Sequence, residues 1–424
     1  MSCSEWKEYK LDELYTVTNG LSKKRDEFGF GYEFLSFTEV FNNYFVPKKL
    51  NNLANTSEKE REKCSIKRGD VFLTRTSETL DELGKSCVAL KDFPNATFNG
   101  FTKRLRPKGN VEILPEYAGY FFRSNKFKNA VTSMSSMTTR ASLNNDMLSV
   151  LSITVPPIEE QEKIANILLS LDNKIELNNE MNKTLEEIAQ SIFKRWFVDF
   201  EFPNEDGQPY KSSGGEMVES ELGMIPKGWE VKELGSICEV KGGKRLPKGM
   251  SVVDYKTLYP YLRVTDVTNG YVNMNSIKYI DEQTHEKISR YIIEYNDLYI
   301  SIAGTIGLVG GINKKLDKAN LTENMARIIC KNINKNYIRL YLNSEEIQNI
   351  IKSKAVGSTQ PKLPLYVVKG IQILIPKKSL LDEFINIVDY IYLSTEKNLI
   401  NNDILEEIRD NLLEKLLSGK IEIK

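Results

Sequence analysis

The alternating segment Leu151-Ser-Ile-Thr-Val-Pro156 recurs 220 residues later as Ile371-Gln-Ile-Leu-Ile-Pro376. Earlier in the chain, Gly69–Thr74 matches Asn296–Ser301 at a spacing of 227, and blocks near the N-terminus match at a spacing of 223. The spacing changes between blocks and stays constant within each, which is what loop insertions produce in two copies of one fold. The sequence therefore predicts two equivalent domains in tandem.

Each copy consists of short apolar or alternating segments rich in Val, Ile, Tyr and Phe, broken by Gly, Asn and Pro. Helical patterns are few until the end of each copy, where a proline starts a long one. The predicted fold class is α+β, with two tandem β-rich domains that are each followed by a long helix. The predicted boundaries are 1–157 for the first domain, 158–198 for its helix, 199–223 for a linker, 224–377 for the second domain and 378–419 for its helix.

The two long helices carry apolar residues at heptad spacing, which indicates a coiled coil. Both seams place asparagines at the same two positions, Asn178 and Asn182 in the first helix and Asn398 and Asn402 in the second. An antiparallel pairing with pseudo-twofold symmetry places residues whose numbers sum to 580 opposite each other, so Asn178 faces Asn402 and Asn182 faces Asn398. Buried asparagine pairs cost stability but select one register. The alternative is that the helices diverge there and the asparagines are hydrated.

Two pairs fit this register poorly. Leu171 faces Arg409, and Leu185 faces Thr395, so each pair places a polar side chain opposite a leucine.

Composition excludes several classes of protein. The chain has 424 residues, of which 41% are hydrophobic and 27% charged, which is typical of a folded globular protein. No apolar run approaches the roughly 18 residues that span a bilayer, and no signal peptide is evident, so we expect a cytoplasmic protein. The five cysteines form no Cys-x-x-Cys pair, and the single histidine, His285, is expected on a solvated loop.

Motifs for catalysis are missing from the sequence. There is no phosphate-binding Gly-x-x-x-x-Gly-Lys-Ser/Thr loop, and the glycines of Gly304–Gly311 lack both its lysine and its spacing. No Asn/Asp-Pro-Pro-Tyr/Phe segment is present to hold an extruded base. The acidic residues Glu159, Glu160 and Glu162 begin a helix, where the helix dipole accounts for them. The sequence predicts no catalytic residue, no metal site and no cofactor bound by this chain.

Charge is distributed unevenly although the net charge is zero. Residues 1–158 carry 23 Lys and Arg against 19 Asp and Glu, and residues 224–376 carry 22 against 14. The helices and the linker are acidic. This asymmetry favours contact between the two domains and phosphates, although ordinary solvated surface is the alternative.

Three features together resemble the specificity subunits of Type I restriction-modification enzymes over essentially the whole chain. They are Ile225-Pro-Lys-Gly-Trp229, the domain-closing segments Leu143–Pro156 and Leu363–Pro376, and the paired helices. The resemblance implies that each repeat is a target recognition domain that reads one half of a bipartite, asymmetric DNA site. It implies that the helices set the spacer length and dock two modification (methyltransferase) subunits, and through them restriction (endonuclease and translocase) subunits. S-adenosylmethionine, ATP and Mg²⁺ would then belong to those partners.

Candidate DNA-binding residues are polar side chains in equivalent loops, because Arg, Lys, Asn and Gln read base edges and Lys and Arg hold phosphates. For any one of them a solvated loop position is the alternative. The two copies differ in these loops, so the half-sites should differ too. The candidates in the first domain are Lys23, Lys24, Arg25, Arg75, Thr76, Ser77, Asn99, Lys103 and Arg140, and those in the second are Lys241, Lys244, Arg245, Arg263, Thr305, Asn324, Ser358, Gln360 and Lys362.

Two other functions remain open at this point. A single-chain DNA methyltransferase or endonuclease would transfer methyl groups, or cut DNA, without partners. A coiled-coil adaptor that binds only protein would show no salt-dependent affinity for DNA.

Overall fold

The computed structural model describes residues 6–77, 82–134, 141–268, 270–357 and 361–421. The chain forms two compact units. Unit 1 comprises Met1–Leu177 and Asn401–Lys424, and unit 2 comprises Asn178–Ile400. Each unit thus contains one of the repeated domains and a part of each long helix.

Unit 1 is built on a four-stranded sheet of order β2-β9-β5-β7, with a smaller sheet of order β4-β3-β8 and the pairs β1-β11 and β6-β10. Its strands are β1 (Lys7–Lys10), β2 (Tyr15–Asn19), β3 (Phe28–Leu35), β4 (Leu53–Ala54), β5 (Val71–Thr74), β6 (Thr76–Ser77), β7 (Ser86–Val88), β8 (Thr97–Phe98), β9 (Thr102–Pro107), β10 (Ala141–Ser142) and β11 (Ser152–Val155). Its helices are α1 (Leu11–Leu14), α2 (Phe37–Asn42), α3 (Glu58–Lys63), α4 (Pro115–Phe121), α5 (Asn125–Met134), α6 (Asn145–Val150) and the first part of α7 (Ile158–Phe193).

Unit 2 repeats this plan with a sheet of order β15-β24-β21-β22, a second sheet of order β19-β16-β23-β20, and the pairs β14-β25, β17-β18 and β12-β13. Its strands are β12 (Met217–Ser220), β13 (Gly223–Pro226), β14 (Glu230–Glu233), β15 (Cys238–Gly242), β16 (Tyr259–Leu262), β17 (Val267–Thr268), β18 (Tyr271–Val272), β19 (Lys278–Ile280), β20 (Ile292–Ile293), β21 (Leu298–Ser301), β22 (Val309–Gly311), β23 (Ala319–Leu321), β24 (Met325–Cys330) and β25 (Gln372–Ile375). Its helices are α8 (Leu234–Ile237), α9 (Glu282–Ile288), α10 (Lys335–Asn343), α11 (Glu345–Ser353), α12 (Leu365–Lys369) and the first part of α13 (Lys378–Leu417).

The strand registers of the two units match residue by residue. Lys7 pairs with Val155 in unit 1, and Glu230 pairs with Ile375 in unit 2, which reproduces the spacings of 223 and 220. The parallel contact between β3 and β8 recurs between β16 and β23 at spacings of 227 and 223. The two units are therefore two copies of one mixed α and β fold, as the sequence predicts.

One of the two inner strands of each main sheet is apolar on both faces. Val71 and Leu73 of β5 are buried in the core that also receives α4 and α7, and Phe72 between them is buried in a second core under β3 and β8. In β21 the same alternation places Tyr299 in a different core from its two neighbours. A continuous apolar run is the pattern expected of a strand that is covered on both sides.

In unit 1 the long helices pack against the sheet domain. Ile164 and Leu168 of α7 and Leu416 of α13 belong to the same buried core as the sheet. The buried Gln161 joins helix and domain, since its Oε1 accepts from the Leu114 N–H at 2.9 Å and its Nε2 donates to the carbonyl of Pro156 at 2.9 Å. The start of α7 is therefore part of the domain.

In unit 2, α7 and α13 run antiparallel and contact each other through an aromatic cluster and an asparagine pair. The ring centroids of Trp196 and Phe384 lie 5.8 Å apart, and Asn398 Nδ2 donates to Asn182 Oδ1 at 2.8 Å. The buried Thr395 donates its hydroxyl to the carbonyl of Ile391 on its own helix at 3.1 Å. Thr395 therefore meets its polar requirement without a partner on α7.

The segment predicted as a linker packs on the core of unit 2. Phe202 stacks on Tyr210 with centroids 4.5 Å apart and on Trp229 at 5.2 Å. The strands β12 and β13, at its end, form an antiparallel hairpin.

His285 corrects one expectation from the sequence. It lies in α9, whose first turn is capped by Asp281, and not on a solvated loop. Its ring stacks on Tyr259 at 4.2 Å, and its Nδ1 lies 2.7 Å from Asn320 Oδ1. The prediction was wrong because the partners of His285 come from strands distant in sequence. In the part of the chain that the structure describes, no helix is long and apolar enough to cross a membrane.

Candidate DNA-binding loops

Three loops of unit 1 meet at one place. The Leu21 N–H donates to the carbonyl of Phe98 at 2.9 Å, and the Gly100 N–H donates back to the carbonyl of Leu21 at 2.7 Å. The Arg75 N–H donates to the carbonyl of Phe101 at 2.9 Å. Contact this close requires glycine, since a Cβ on Gly20 would overlap the carbonyl oxygen of Asn99 and one on Gly100 would lie 2.5 Å from Ser22 Oγ.

A fourth segment closes the same site. The carbonyl of Arg75 accepts from the Leu143 N–H at 2.8 Å, and β6, which contains Thr76 and Ser77, pairs with β10. Arg140 directly precedes β10 and lies outside the described residues. The structure thus brings Arg75–Ser77 beside the Asn99 loop and the loop that leads to Lys23.

The basic candidates of unit 1 differ in exposure. Lys24 and Arg25 are exposed. Lys23 is largely buried, and its Nζ lies 3.2 Å from Glu27 Oε1 and 2.8 Å from Glu60 Oε1. Hydrogen bonding to Lys23 lowers the pKa of Glu60 to about 2. Lys103 is only 5% exposed and donates to Asn19 Oδ1 at 3.1 Å and to an oxygen of Asn145 at 2.5 Å, while burial lowers its pKa.

Unit 2 repeats the loop junctions of unit 1. The equivalent backbone hydrogen bonds, from N–H to carbonyl, all measure 2.8 Å. They connect four segments: the loop after β15, the loop between β23 and β24, the end of β21 and the segment before α12. Lys244 and Leu363, the outermost residues of these bonds, lie 119 positions apart in the sequence, and the fold brings their segments together. The three bonds are Lys244 to Leu321, Ile302 to Asn324 and Leu363 to Ile302.

Several basic candidates of unit 2 are paired with carboxylates. Arg263 Nη2 lies 2.6 Å from the Oδ1 of the buried Asp266, and Arg245 Nε lies 2.6 Å from Glu323 Oε1. Lys241 Nζ lies 2.7 Å from Glu239 Oε1. Because Arg245 and Lys241 remain exposed, their pairs can open toward a phosphate, whereas Arg263 is partly buried and holds a turn.

The remaining candidates of unit 2 lie around the same junctions. Lys244, Thr305, Asn324 and Lys362 are all exposed. Thr305 lies in a turn between Gly304 and Gly307, both of which have positive φ. Ser358 and Gln360 lie outside the described residues.

Exposed aromatic side chains also lie near these loops. The residues predicted from the sequence to contact DNA do not include them, because that prediction rests on polar side chains alone. Phe101 is 59% exposed in the Asn99 loop, and the equivalent residue of unit 2 is Asn324. Phe30, Tyr255 and others also project from neighbouring segments. The alternation of glycine and aromatic residues in Phe28-Gly-Phe-Gly-Tyr32 was the available signal.

A charged contact anchors the domain of unit 2 to its helices. Glu186 on α7 accepts from Arg339 Nη2 at 3.3 Å, from the Tyr392 hydroxyl at 3.2 Å and from the Tyr271 hydroxyl at 3.1 Å. Arg339 lies on α10 and Tyr392 on α13, so the contact joins three helices. Burial raises the pKa of Tyr271 to about 12.

Comparison with known proteins agrees with a doubled fold. A family model described as the Type I restriction modification DNA specificity domain matches residues 3–187 and again residues 226–410. Two copies of a DNA specificity domain with two long helices therefore make up the chain. The chain belongs to the family of Type I restriction-modification specificity subunits, and it is a sequence-specific DNA-recognition subunit.

Two relatives match over most of their length. The MjaIX specificity subunit of Methanocaldococcus jannaschii is 28% identical over 379 residues, which cover 87% of this chain and 82% of the relative. The HindI specificity subunit of Haemophilus influenzae is 26% identical and is matched over 99% of this chain and 100% of its own. The crystal structure of an S subunit from M. genitalium aligns with 99% of this chain and 97% of its own, at 17% identity and a TM-score of 0.49.

Proposed function

We propose that each unit reads one half of a bipartite, asymmetric site in double-stranded DNA. The repeated loop junctions support this proposal, because they place different exposed side chains at equivalent positions. Phe101 of unit 1 corresponds to Asn324 of unit 2, and an amide reads a base edge that a phenyl ring cannot. The two half-sites therefore differ.

Exposed basic residues supply the affinity that does not depend on sequence. Lys24 and Arg25 in unit 1 and Lys244 and Lys248 in unit 2 are exposed close to the loop junctions. Neutralisation of phosphates by such residues releases counterions and makes binding depend on salt. The acidic helices contribute little to this term.

The long helices serve as a spacer and as the docking surface for two modification subunits. The Asn182–Asn398 pair would set the register of the helices and with it the spacer length. Apolar side chains on the outside of the helices fit a protein partner. These are Leu177, Ile404 and Ile408 in unit 1, and Met181, Ile188, Ile387, Tyr390 and Leu393 in unit 2.

Catalysis belongs to the partners in this proposal. The modification subunits supply S-adenosylmethionine-dependent methyl transfer, and restriction subunits that join through them supply ATP- and Mg²⁺-dependent cleavage in the cytoplasm. The chain itself is the non-catalytic subunit that selects the site.

Mapping of methylated adenines in host DNA, with and without the gene for this chain, tests the proposal. We expect a motif with two different halves and an unspecified spacer to lose its methylation on deletion, and to regain it when the gene is restored. Unchanged methylation would refute the proposal. Methyl transfer by the purified chain alone would instead favour a single-chain methyltransferase.

A further inference from the structure

Unit 1 carries an arm, residues 23–32, that combines exposed basic and aromatic side chains. Lys24 and Arg25 come first, and Phe28, Phe30 and Tyr32 follow with exposed fractions of 38%, 51% and 42%. Gly29 and Gly31 adopt φ values of +96° and +97°, and the pairing of β3 with β4 shifts register between Phe28 and Tyr32.

Two of the three rings are held in place. Phe28 packs edge-on against Phe34 with centroids 5.3 Å apart, and the Arg61 guanidinium lies 3.9 Å from the centre of the Tyr32 ring. The backbone is also fixed, since a Cβ on Gly31 would lie 2.5 Å from the carbonyl oxygen of Ala54. Phe30, between the two anchored rings, is the most exposed of the three.

Unit 2 carries the same combination in the equivalent arm, residues 244–258. Lys244, Arg245 and Lys248 are exposed, and Tyr255 and Leu258 follow with exposed fractions of 64% and 88%. The two arms share little sequence, so the recurrence of basic residues followed by exposed apolar ones is a second, independent observation.

Both arms begin and end at the candidate DNA-binding loops. The first arm follows Leu21, whose N–H donates to the carbonyl of Phe98, and it ends within β3, whose Leu35 carbonyl accepts from the Asn99 N–H at 3.0 Å. The second arm starts at Lys244 and leads into β16, whose Leu262 carbonyl accepts from the Thr322 N–H at 3.1 Å. A molecule bound at the loops therefore lies next to the arm in each unit.

The chemistry of the arms suits DNA. Exposed lysine and arginine side chains complement phosphates, and aromatic side chains contact the thymine methyl group or insert as wedges between base steps. We propose that the two arms contact the bound DNA, with Phe30 and Tyr255 packed against bases and the basic residues on the flanking phosphates. This inference rests on the proposed function and adds apolar contacts to its polar ones.

The test measures binding of the full complex with its modification subunits to a duplex that carries the mapped target, at several salt concentrations. Phe30→Ala should weaken binding ~5-fold or more, as loss of base–aromatic contact does, and should leave the slope of log K against log salt unchanged. Lys24→Ala should reduce that slope by about 1, because one phosphate contact is lost. Phe30→Trp should retain most of the affinity. Tyr255→Ala should behave like Phe30→Ala.

Val150→Ala is the matched control, because Val150 is 55% exposed in unit 1 and lies outside the arm. This inference would be overturned if Phe30→Ala and Tyr255→Ala both bound DNA with wild-type affinity while Lys24→Ala bound more weakly. That result would leave the proposed function standing. Loss of the modification subunits from Phe30→Ala in gel filtration would also overturn it, since the ring would then contact protein. Absence of salt-dependent binding in the wild type would refute the proposed function itself.

Discussion

Arg409 on α13 donates from Nη1 to Asp172 Oδ1 on α7 at 2.7 Å. The other oxygen of Asp172 accepts from the Tyr120 hydroxyl at 2.5 Å, and the Arg409 guanidinium lies 5.0 Å from the centre of the Tyr44 ring. Both tyrosines belong to the recognition domain of unit 1. One ionic contact therefore joins the two helices to the domain, as Glu186 does in unit 2.

Replacement of Arg409 by Met should destabilise unit 1, because Asp172 loses the cation that compensates for its partial burial. We expect a loss of about 1–3 kcal/mol in the free energy of unfolding, less than the ~3–5 kcal/mol of a fully buried pair, since Asp172 keeps 23% of its side chain exposed. Denaturant unfolding of the purified chain measures it.

Lys183→Met is the control for Arg409→Met, because Lys183 and Glu187 form an exposed pair that contributes little. The double variant Asp172→Asn, Arg409→Met should lose less stability than Arg409→Met alone. Equal losses would contradict the ionic role.

The Asn182–Asn398 pair should tolerate replacement of both residues better than of one. Asn182→Leu removes the acceptor of Asn398 Nδ2, and the expected loss is about 1–2 kcal/mol. The double variant Asn182→Leu, Asn398→Leu should lose less stability, because it leaves neither amide buried without its partner. It also removes Asn182 Nδ2, which is buried and has no hydrogen-bond partner among the described residues. Thermal unfolding measures both variants, with Asn401→Leu as an exposed control on α13. A double variant less stable than the single one would argue against the pair.

Lys103→Met should act on stability and not on phosphate binding. Lys103 is buried and holds Asn19 and Asn145, so its loss should lower the melting temperature of unit 1. The slope of log K for DNA against log salt should stay at the wild-type value, in contrast to the exposed Lys24. A slope reduced by about 1 with unchanged melting would show that Lys103 contacts a phosphate.

Asn324→Ala should relax specificity in one half of the DNA motif. Asn324 is exposed at the loop junction of unit 2, and loss of a bidentate base contact costs about 1–3 kcal/mol of discrimination. Methylation mapping in cells that carry the variant should show more bases accepted at one position. The other half of the motif is the internal control, and relaxation in both halves would contradict independent reading by two units.

The doubling of the fold, the order of its segments and the two long helices can all be predicted from the sequence alone. These features follow from local periodicity and from spacings such as 220 between Leu151 and Ile371, which need no knowledge of tertiary contacts. The family likewise follows from motifs such as Ile225–Trp229, which lie close together in the chain.

Which polar side chains are available to a ligand, in contrast, depends on the tertiary structure. Lys24 and Lys103 are both lysines in predicted loops or strand ends, yet one is exposed and the other is buried between two asparagines from distant segments. The predicted register places Arg409 opposite Leu171, which is a poor match. In the structure Arg409 donates to Asp172 instead, because its long side chain extends to the next residue of α7. Burial and pairing depend on which strands and loops meet, and the energy of a charge depends on those neighbours far more than on the sequence around it.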